Sequence, residues 1–166
     1  KRQDDIDKVG GKNASLGEMI NNLSALGINV PDGFATTSEA YKLFIESNNI
    51  DDKIQKILNE LDLDSIKDLA NAGKAIRRLI LKATIPEELE EQIFQAYKNL
   101  TKGSELSFAV RSSATAEDLP SASFAGQQET YLNITGFKNL LEAMQKVYAS
   151  LYTDRAISYS CLLYTS

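Results

Sequence analysis

The segment from Phe108 to Thr130 combines an arginine with a run of small and hydroxylated residues. Its apolar start predicts a strand that ends at Arg111, whose guanidinium can hold two phosphate oxygens in a bidentate fork. Gly126 has no Cβ and therefore lets backbone N–H groups approach a polyanion closely. Hydroxyl donors lie between these two residues at Ser112, Ser113, Thr115, Ser121 and Ser123. The pattern predicts a nucleotide or phosphate site, and the alternative is a solvated surface loop beside an ordinary arginine.

A second glycine-bearing segment lies near the start of the chain. Gly10, Gly11 and Lys12 run directly into a predicted amphipathic helix at about residues 14–26. A lysine just before a helix N-terminus lies where the free N–H groups and the helix dipole already favour an anion. The spacing is not that of a Walker A loop. On its own the segment is a weak signal, because a helix that follows a glycine turn with a solvated lysine is the commoner explanation.

These segments together resemble a known family. The resemblance is carried, in order and spacing, by VGGKNASLGEM, VPDGFATT, FAVRSSATAEDLPSASFAGQQETYLNI and LYTDRAISY. They are similar to the N-terminal nucleotide-binding domain of the phosphoenolpyruvate synthase (pyruvate, water dikinase) family, over about residues 4 to 159. The wider group of dikinases with an ATP-grasp nucleotide-binding domain also includes pyruvate, phosphate dikinase and the rifampicin phosphotransferases.

The resemblance implies an ATP-binding role for four residues. In the family, the residues matching Lys12 and Arg111 bind ATP phosphates, with Arg111 also expected to stabilise charge during phosphoryl transfer. Gly126 matches the glycine of a loop that closes over the nucleotide, and Thr130 matches its hydroxyl residue. The family uses ATP to phosphorylate its own histidine, releases AMP and phosphate, and passes the phosphoryl group to pyruvate. The Mg²⁺ ligands, the phosphohistidine domain and the pyruvate-binding domain are expected outside this sequence.

Two alternatives remain open at this point. The first is the ATP-binding part of a rifampicin phosphotransferase, which differs in its acceptor domain. The second is an inactive nucleotide-binding or interaction module. The chain contains no histidine, so a phosphohistidine, a His-based metal site and a Ser-His-Asp triad all require residues from elsewhere.

Composition narrows the class of protein further. With 166 residues, 43% of them hydrophobic, the chain is long enough for one domain with a sizeable core. Its net charge of -5 disfavours nucleic acid as a partner. Since no apolar run approaches the length of a membrane span and Cys161 is the single cysteine, we expect a cytoplasmic protein without a membrane contact. The resemblance implies that residues 1–159 are part of one ATP-grasp domain, and residues 160–166, which leave the family pattern, are predicted to be a non-native tail.

The predicted fold class is α+β, with a helical insertion before a small antiparallel sheet. Strands are expected on both sides of the Ser-rich loop, up to Arg111 and over Glu129 to Ile134. Helix signals include a capping box of Thr36 with Glu39, a break at Asn48 and Asn49, and a start at Pro86. A last helix, from Phe137 to Leu151, is expected to cover the sheet. The predicted apolar positions of the intervening helices are Ala40, Tyr41, Phe44, Ile45, Ile54, Ile57, Leu58, Leu61, Ile66, Leu69, Ala70, Ile76, Leu79, Ile80, Leu89, Ile93, Ala96, Tyr97 and Leu100.

Two charged groups invite functional readings but are typical of ordinary surface. Glu117 and Asp118 are interpreted as loop or capping residues rather than a Mg²⁺ site, because a metal site needs ligands from several elements. Lys74, Arg77 and Arg78 are interpreted as a solvated, salt-bridging helix face.

Overall fold

The computed structural model describes Leu26, residues 32–112 and residues 129–158. The elements of these ranges are α1 (Ser38–Ser47), α2 (Asp51–Asn59), α3 (Ile66–Lys82), α4 (Glu87–Thr101), β1 (Ser107–Arg111), β2 (Thr130–Thr135) and α5 (Phe137–Ser150). Residues 154–158 add a further helical turn. The predicted helix at 14–26, the Glu117–Asp118 pair and the domain boundary at Tyr159 with its tail lie outside the described residues.

The described part of the chain is α+β, as predicted: four helices precede a two-stranded antiparallel sheet, and a fifth follows it. Pro86 precedes the first residue of α4, and Glu87, Glu88 and Glu90 lie in its first turn, where carboxylates are favoured by the helix dipole. That start signal is confirmed. Helix α3 also begins at a polar residue, since the Ser65 hydroxyl accepts a hydrogen bond from the Asp68 amide.

The predicted capping box of Thr36 with Glu39 is wrong by one residue. Thr37 is the N-cap of α1, and its hydroxyl accepts a hydrogen bond from the Ala40 amide. Two adjacent threonines offer the same capping group, so the pattern alone cannot choose between them. The pKa of Glu39 is nevertheless lowered, first by a backbone amide and then by the Thr37 hydroxyl.

Asn48 and Asn49 end α1, as predicted, but in two different ways. The Asn48 side-chain amide donates to the carbonyls of Phe44 and Thr84, each at 2.8 Å, and its oxygen accepts from the Thr84 amide at 2.9 Å. Asn49 adopts a left-handed backbone with φ of 52°. Asn48 therefore joins the end of α1 to the loop after α3, while Asn49 turns the chain into α2.

One hydrophobic core runs through the described helices. Phe44, Ile76 and Ile80 are completely buried, and Tyr148 of α5 packs on Phe44 with ring centroids 5.3 Å apart. Ile66 departs from the predicted apolar stripe of α3, since it is 86% exposed. The buried cluster comprises Phe44, Ile45, Ile50, Ile54, Ile76, Ile80, Ile85, Leu89, Ile93, Leu140, Met144, Tyr148, Ala149 and Ile157.

Helix α5 connects the helical layer to the sheet. It contacts both strands and packs along α3, and Gln145 Nε2 donates to the Ile80 and Ala83 carbonyls at the end of α3. These are carbonyls that a helix C-terminus leaves without an intrahelical partner. The prediction that the last helix covers the sheet is confirmed, and the same helix also closes the end of α3.

Candidate functional site

Two of the four predicted nucleotide-binding residues lie within the described residues, and they face each other. Arg111 is the last residue of β1 and Thr130 the first residue of β2. The antiparallel register pairs them directly. Lys12 and Gly126, the other two, lie outside the described residues. The two strands therefore bring together Arg111 and Thr130, the two residues between which the sequence places most of the predicted phosphate-binding loop.

The two faces of the sheet have different environments. Phe108 and Val110 are partly buried and pack against the helical core, whereas Ser107, Ala109 and Arg111 are exposed. Because successive residues of a strand point to opposite faces, Arg111 lies on the open face. Thr130 is exposed as well. Directly opposed residues of an antiparallel pair place their Cβ atoms about 5 Å apart, so a guanidinium and a hydroxyl are available side by side.

A β-bulge in β2 determines which residues of the strand face the helices and which lie on the open face near the site. Phe108 pairs with Ile134 and Val110 with Tyr131, so that Leu132 and Asn133 together oppose Ala109. Asn133 takes up the extra residue in a left-handed conformation with φ of 57°. Both Ile134 and Tyr131 consequently face the helices, and Thr130 is left on the open face opposite Arg111. The sequence predicted the strand but not the bulge.

The covered face of the sheet rests on aromatic and helical contacts. Phe108 packs on Tyr97 with ring centroids 5.7 Å apart, and Tyr97 packs on Phe137 at 5.5 Å. Next to Thr130, the Tyr131 ring lies 5.8 Å from Lys146 Nζ of α5. Burial, followed by the nearby Glu129 carboxylate, raises the pKa of Tyr131. These contacts hold both site-bearing strand ends against α4 and α5.

Two further features of the described residues bear on the kind of site. Within 26, 32–112 and 129–158, no three Cys, Asp or Glu side chains converge in a way that could hold a metal ion. In the same ranges no helix combines the length and apolarity needed to cross a membrane.

The Lys74, Arg77 and Arg78 face contains a salt bridge, as predicted, and among the described residues it is Arg77 that forms it. Its Nη1 donates to the Tyr152 carbonyl at 2.7 Å and to Asp154 Oδ1 at 3.2 Å. Gly73 is part of the same contact, since a Cβ there would lie 2.6 Å from Asp154 Oδ1. Lys74 and Arg78 instead line a groove between α2 and α3, which sequence reasoning missed. The available signal was the one-turn spacing of Lys74, Arg78 and Lys82 along α3.

The fold and the paired strand ends define an α+β unit with a cation and a hydroxyl at one sheet edge. Residues 6–162 match the family described as pyruvate phosphate dikinase, AMP/ATP-binding domain. The match covers most of the chain, and the chain belongs to that family.

Three bacterial relatives of the chain share one name. It is 54% identical over 161 residues to a phosphoenolpyruvate synthase of Neisseria meningitidis, covering 95% of this chain and 20% of the relative. The corresponding enzyme of Escherichia coli is 54% identical over 156 residues, covering 93% and 20%. That of Aquifex aeolicus is 55% identical over 159 residues, covering 94% and 19%. The chain thus spans about a fifth of the length of these relatives.

Proposed function

We propose that this chain is the ATP-binding part of a phosphoenolpyruvate synthase, within an ATP-grasp domain of the dikinase type formed by residues 1–159, with residues 160–166 outside that domain. The whole enzyme would use ATP to phosphorylate one of its own histidines, releasing AMP and phosphate, and would then phosphorylate pyruvate. The observation that carries the proposal is the direct pairing of Arg111 with Thr130 at the two ends of the Ser-rich segment. Family membership and the names of the relatives support the same assignment.

Each site residue has a distinct proposed role toward the triphosphate. Arg111 forms a fork that stabilises charge on the transferring phosphoryl group, and Lys12 supplies a point charge to the β- and γ-oxygens. Gly126 allows backbone N–H groups to donate to phosphate oxygens. The Thr130 hydroxyl, opposite Arg111 on the sheet, donates a further hydrogen bond.

Mg²⁺ is the proposed cofactor, and it neutralises phosphate charge when bound with ATP. The described residues contain no converging group of ligands, so we assign none of them to the ion. We propose that its ligands, the acceptor histidine and the pyruvate site belong to further domains of the enzyme. We further propose that the enzyme acts in the cytoplasm, in the synthesis of phosphoenolpyruvate for gluconeogenesis.

The test is the identity of the phosphorylated product. The intact protein is incubated with Mg²⁺ and ATP together with either pyruvate or rifampicin, and AMP, phosphate and the phosphorylated acceptor are quantified. We expect phosphoenolpyruvate with equal amounts of AMP and phosphate. Phosphorylated rifampicin without phosphoenolpyruvate would favour the antibiotic phosphotransferase instead. Binding of ATP without AMP formation with either acceptor would identify an inactive nucleotide-binding module.

A further inference from the structure

The bulge in β2 sets which residue of that strand lies opposite Arg111. Away from the site, Phe108 pairs with Ile134. If β2 were regular, each step forward along β1 would be one step back along β2, and Arg111 would lie opposite Tyr131. The extra residue shifts the pairing by one position, so that Thr130 lies there instead. The partner of the guanidinium is therefore a short hydroxyl side chain rather than an aromatic ring.

Apolar packing does not account for this arrangement. In a regular strand, Leu132 would share the covered face with Ile134, because alternate residues lie on one face. The bulge leaves Leu132 64% exposed and places Tyr131 partly buried against the helices instead. Leucine is more often fully buried than tyrosine, whose hydroxyl needs a partner when it is covered. The sheet thus loses apolar burial beside the candidate site, and bulges often re-aim side chains next to such sites.

The acidic residue beside the site follows the same shift. Glu129 comes directly before β2 and is exposed. Without the bulge, Glu129 would share the open face with Arg111, as a diagonal neighbour within reach of long side chains. In the structure, burial and then the Glu129 carboxylate raise the pKa of Tyr131, and the ion pair within the described ranges joins Arg77 to Asp154. Arg111 is therefore not neutralised by this carboxylate, and its charge remains on the open face.

Asn133 supplies the backbone conformation that the bulge needs. Three non-glycine residues within the described ranges have a positive φ, and they are Asn49, Lys102 and Asn133. The first two lie beside helix ends, whereas Asn133 lies inside β2. Its φ of 57° lies in the left-handed region, which asparagine and glycine adopt readily and β-branched residues disfavour. Because the Asn133 side chain is exposed, its contribution to the sheet is made through the backbone.

We propose that Asn133 is a positioning residue for the nucleotide site: its left-handed backbone closes the bulge that places the Thr130 hydroxyl opposite the Arg111 guanidinium. Together these two groups offer phosphate oxygens a charged fork and a hydroxyl donor. Without the bulge, the Tyr131 ring would take the place of the hydroxyl. This role of Asn133 rests on the proposed ATP-binding function of Arg111 and Thr130.

Substitutions of Asn133 in the intact protein test this role. Asn133→Gly keeps the left-handed conformation and should leave kcat/KM for ATP within about twofold of wild type. Asn133→Val favours a regular strand, and kcat/KM for ATP should fall at least about tenfold, as expected when phosphates lose a hydrogen-bond donor. The kcat/KM for pyruvate should change less than about twofold in both variants, because it reports the step after ATP has reacted. Equal losses for the glycine and valine variants, or no loss for valine, would overturn the proposal.

Lys102 provides a matched control for backbone strain. It is exposed, with φ of 48°, at the end of α4. Lys102→Val therefore imposes a similar strain away from Arg111 and Thr130, and it should leave kcat/KM for ATP within about twofold of wild type. Equal losses in the two valine variants would show a general effect of strain and would overturn the proposal. Thermal unfolding of each variant measures whether it is folded. If Asn133→Val does not fold, Asn133→Ala takes its place, with an expected loss of at least about threefold.

A crystal structure of the intact Asn133→Val protein measures the register without any ATP. We expect Arg111 opposite Tyr131, and a retained pair of Arg111 with Thr130 would overturn the proposal. Arg111→Ala separates this result from failure of the ATP-binding role itself. A loss of kcat/KM for ATP with Arg111→Ala but not with Asn133→Val would leave the proposed function standing and overturn the role of Asn133. Unchanged values in both variants would contradict the proposed function and the positioning role with it.

Discussion

Asn48 and Asn49 show how two identical neighbours can stabilise a fold by different means. Asn48 makes three hydrogen bonds with backbone groups of Phe44 and Thr84, whereas Asn49 contributes a left-handed backbone conformation. The sequence predicted a helix break at this pair. It could not predict the bridge to Thr84, because nothing in the local pattern specifies a partner 36 positions away.

Asn48→Ala should lower the free energy of unfolding by about 2 kcal/mol, because backbone groups of Thr84 lose their partners. Asn49→Gly is the matched control and should be neutral or slightly stabilising, since glycine adopts positive φ without strain. Chemical denaturation of both variants tests the difference. Equal losses in the two variants would contradict separate roles for the two residues.

Two tyrosines make the stability of the fold sensitive to alkaline pH. The Tyr41 hydroxyl donates to the Tyr152 hydroxyl at 3.1 Å, and its pKa is raised strongly above the usual 10.0, first by burial and then by Tyr152. Burial also raises the pKa of Tyr148, and the nearby Thr36 hydroxyl offsets part of that rise. Both groups therefore stay protonated in the folded state at pH values where the unfolded chain ionises.

The stabilisation from these raised pKa values is complete below pH 10 and is lost as pH rises above it. For each such tyrosine, the free energy of unfolding should fall by about 1.4 kcal/mol per pH unit in that range. Denaturation at a series of alkaline pH values, with tyrosinate absorbance as a second readout, measures this slope. Tyr41→Phe should reduce the slope, and an unchanged slope would show that Tyr41 ionises equally in both states.

At the scale of elements, the helices could be predicted from the periodicity of apolar residues, but the contacts between the helices could not. The start of α4 was predictable from Pro86, and the antiparallel pair was predictable from apolar runs beside a polar loop. The bulge at Leu132 and Asn133 was not, because β2 reads as an ordinary alternating strand without its partner. The packing of residues 152–154 on α3 could not be predicted either. Gly73 and Arg77 contribute to this contact only when the folded chain brings Asp154 close to them.

Arg77 should matter more for this docking than the carboxylate that it pairs with. Arg77→Met removes a charged donor from the Tyr152 carbonyl, and we expect a loss of about 1 to 2 kcal/mol in the free energy of unfolding. Asp154→Asn should cost less than about 0.5 kcal/mol, because its side chain is 47% exposed and solvent screens the pair. Denaturant titration compares the two variants. A larger loss for Asp154→Asn would show that the ion pair, rather than the carbonyl contact, holds the segment.

At the scale of the whole molecule, cations lie in two separate places. Arg111 lies at a sheet edge that we propose binds ATP phosphates, while Lys74 and Arg78 line a groove between α2 and α3. The composition predicted only an acidic protein, because an average net charge does not reveal where the cations lie. The candidate ATP site could be predicted from the sequence because an arginine followed by a run of small and hydroxylated residues is an unusual pattern. Its geometry, the opposition of Arg111 and Thr130, required the strand register.

We propose that Arg111 contacts the transferring phosphoryl group of ATP. The most direct measurement is the rate of AMP formation by the intact protein with ATP, Mg²⁺ and pyruvate, comparing wild type with Arg111→Ala, Arg111→Lys and the exposed control Lys67→Ala. We predict a loss of at least about 10²-fold for Arg111→Ala and only partial recovery with lysine, which cannot form the fork. Lys67→Ala should remain close to wild type. An Arg111→Ala enzyme that retains the wild-type rate within about threefold, a change of less than about 1 kcal/mol in the barrier, would contradict the assignment.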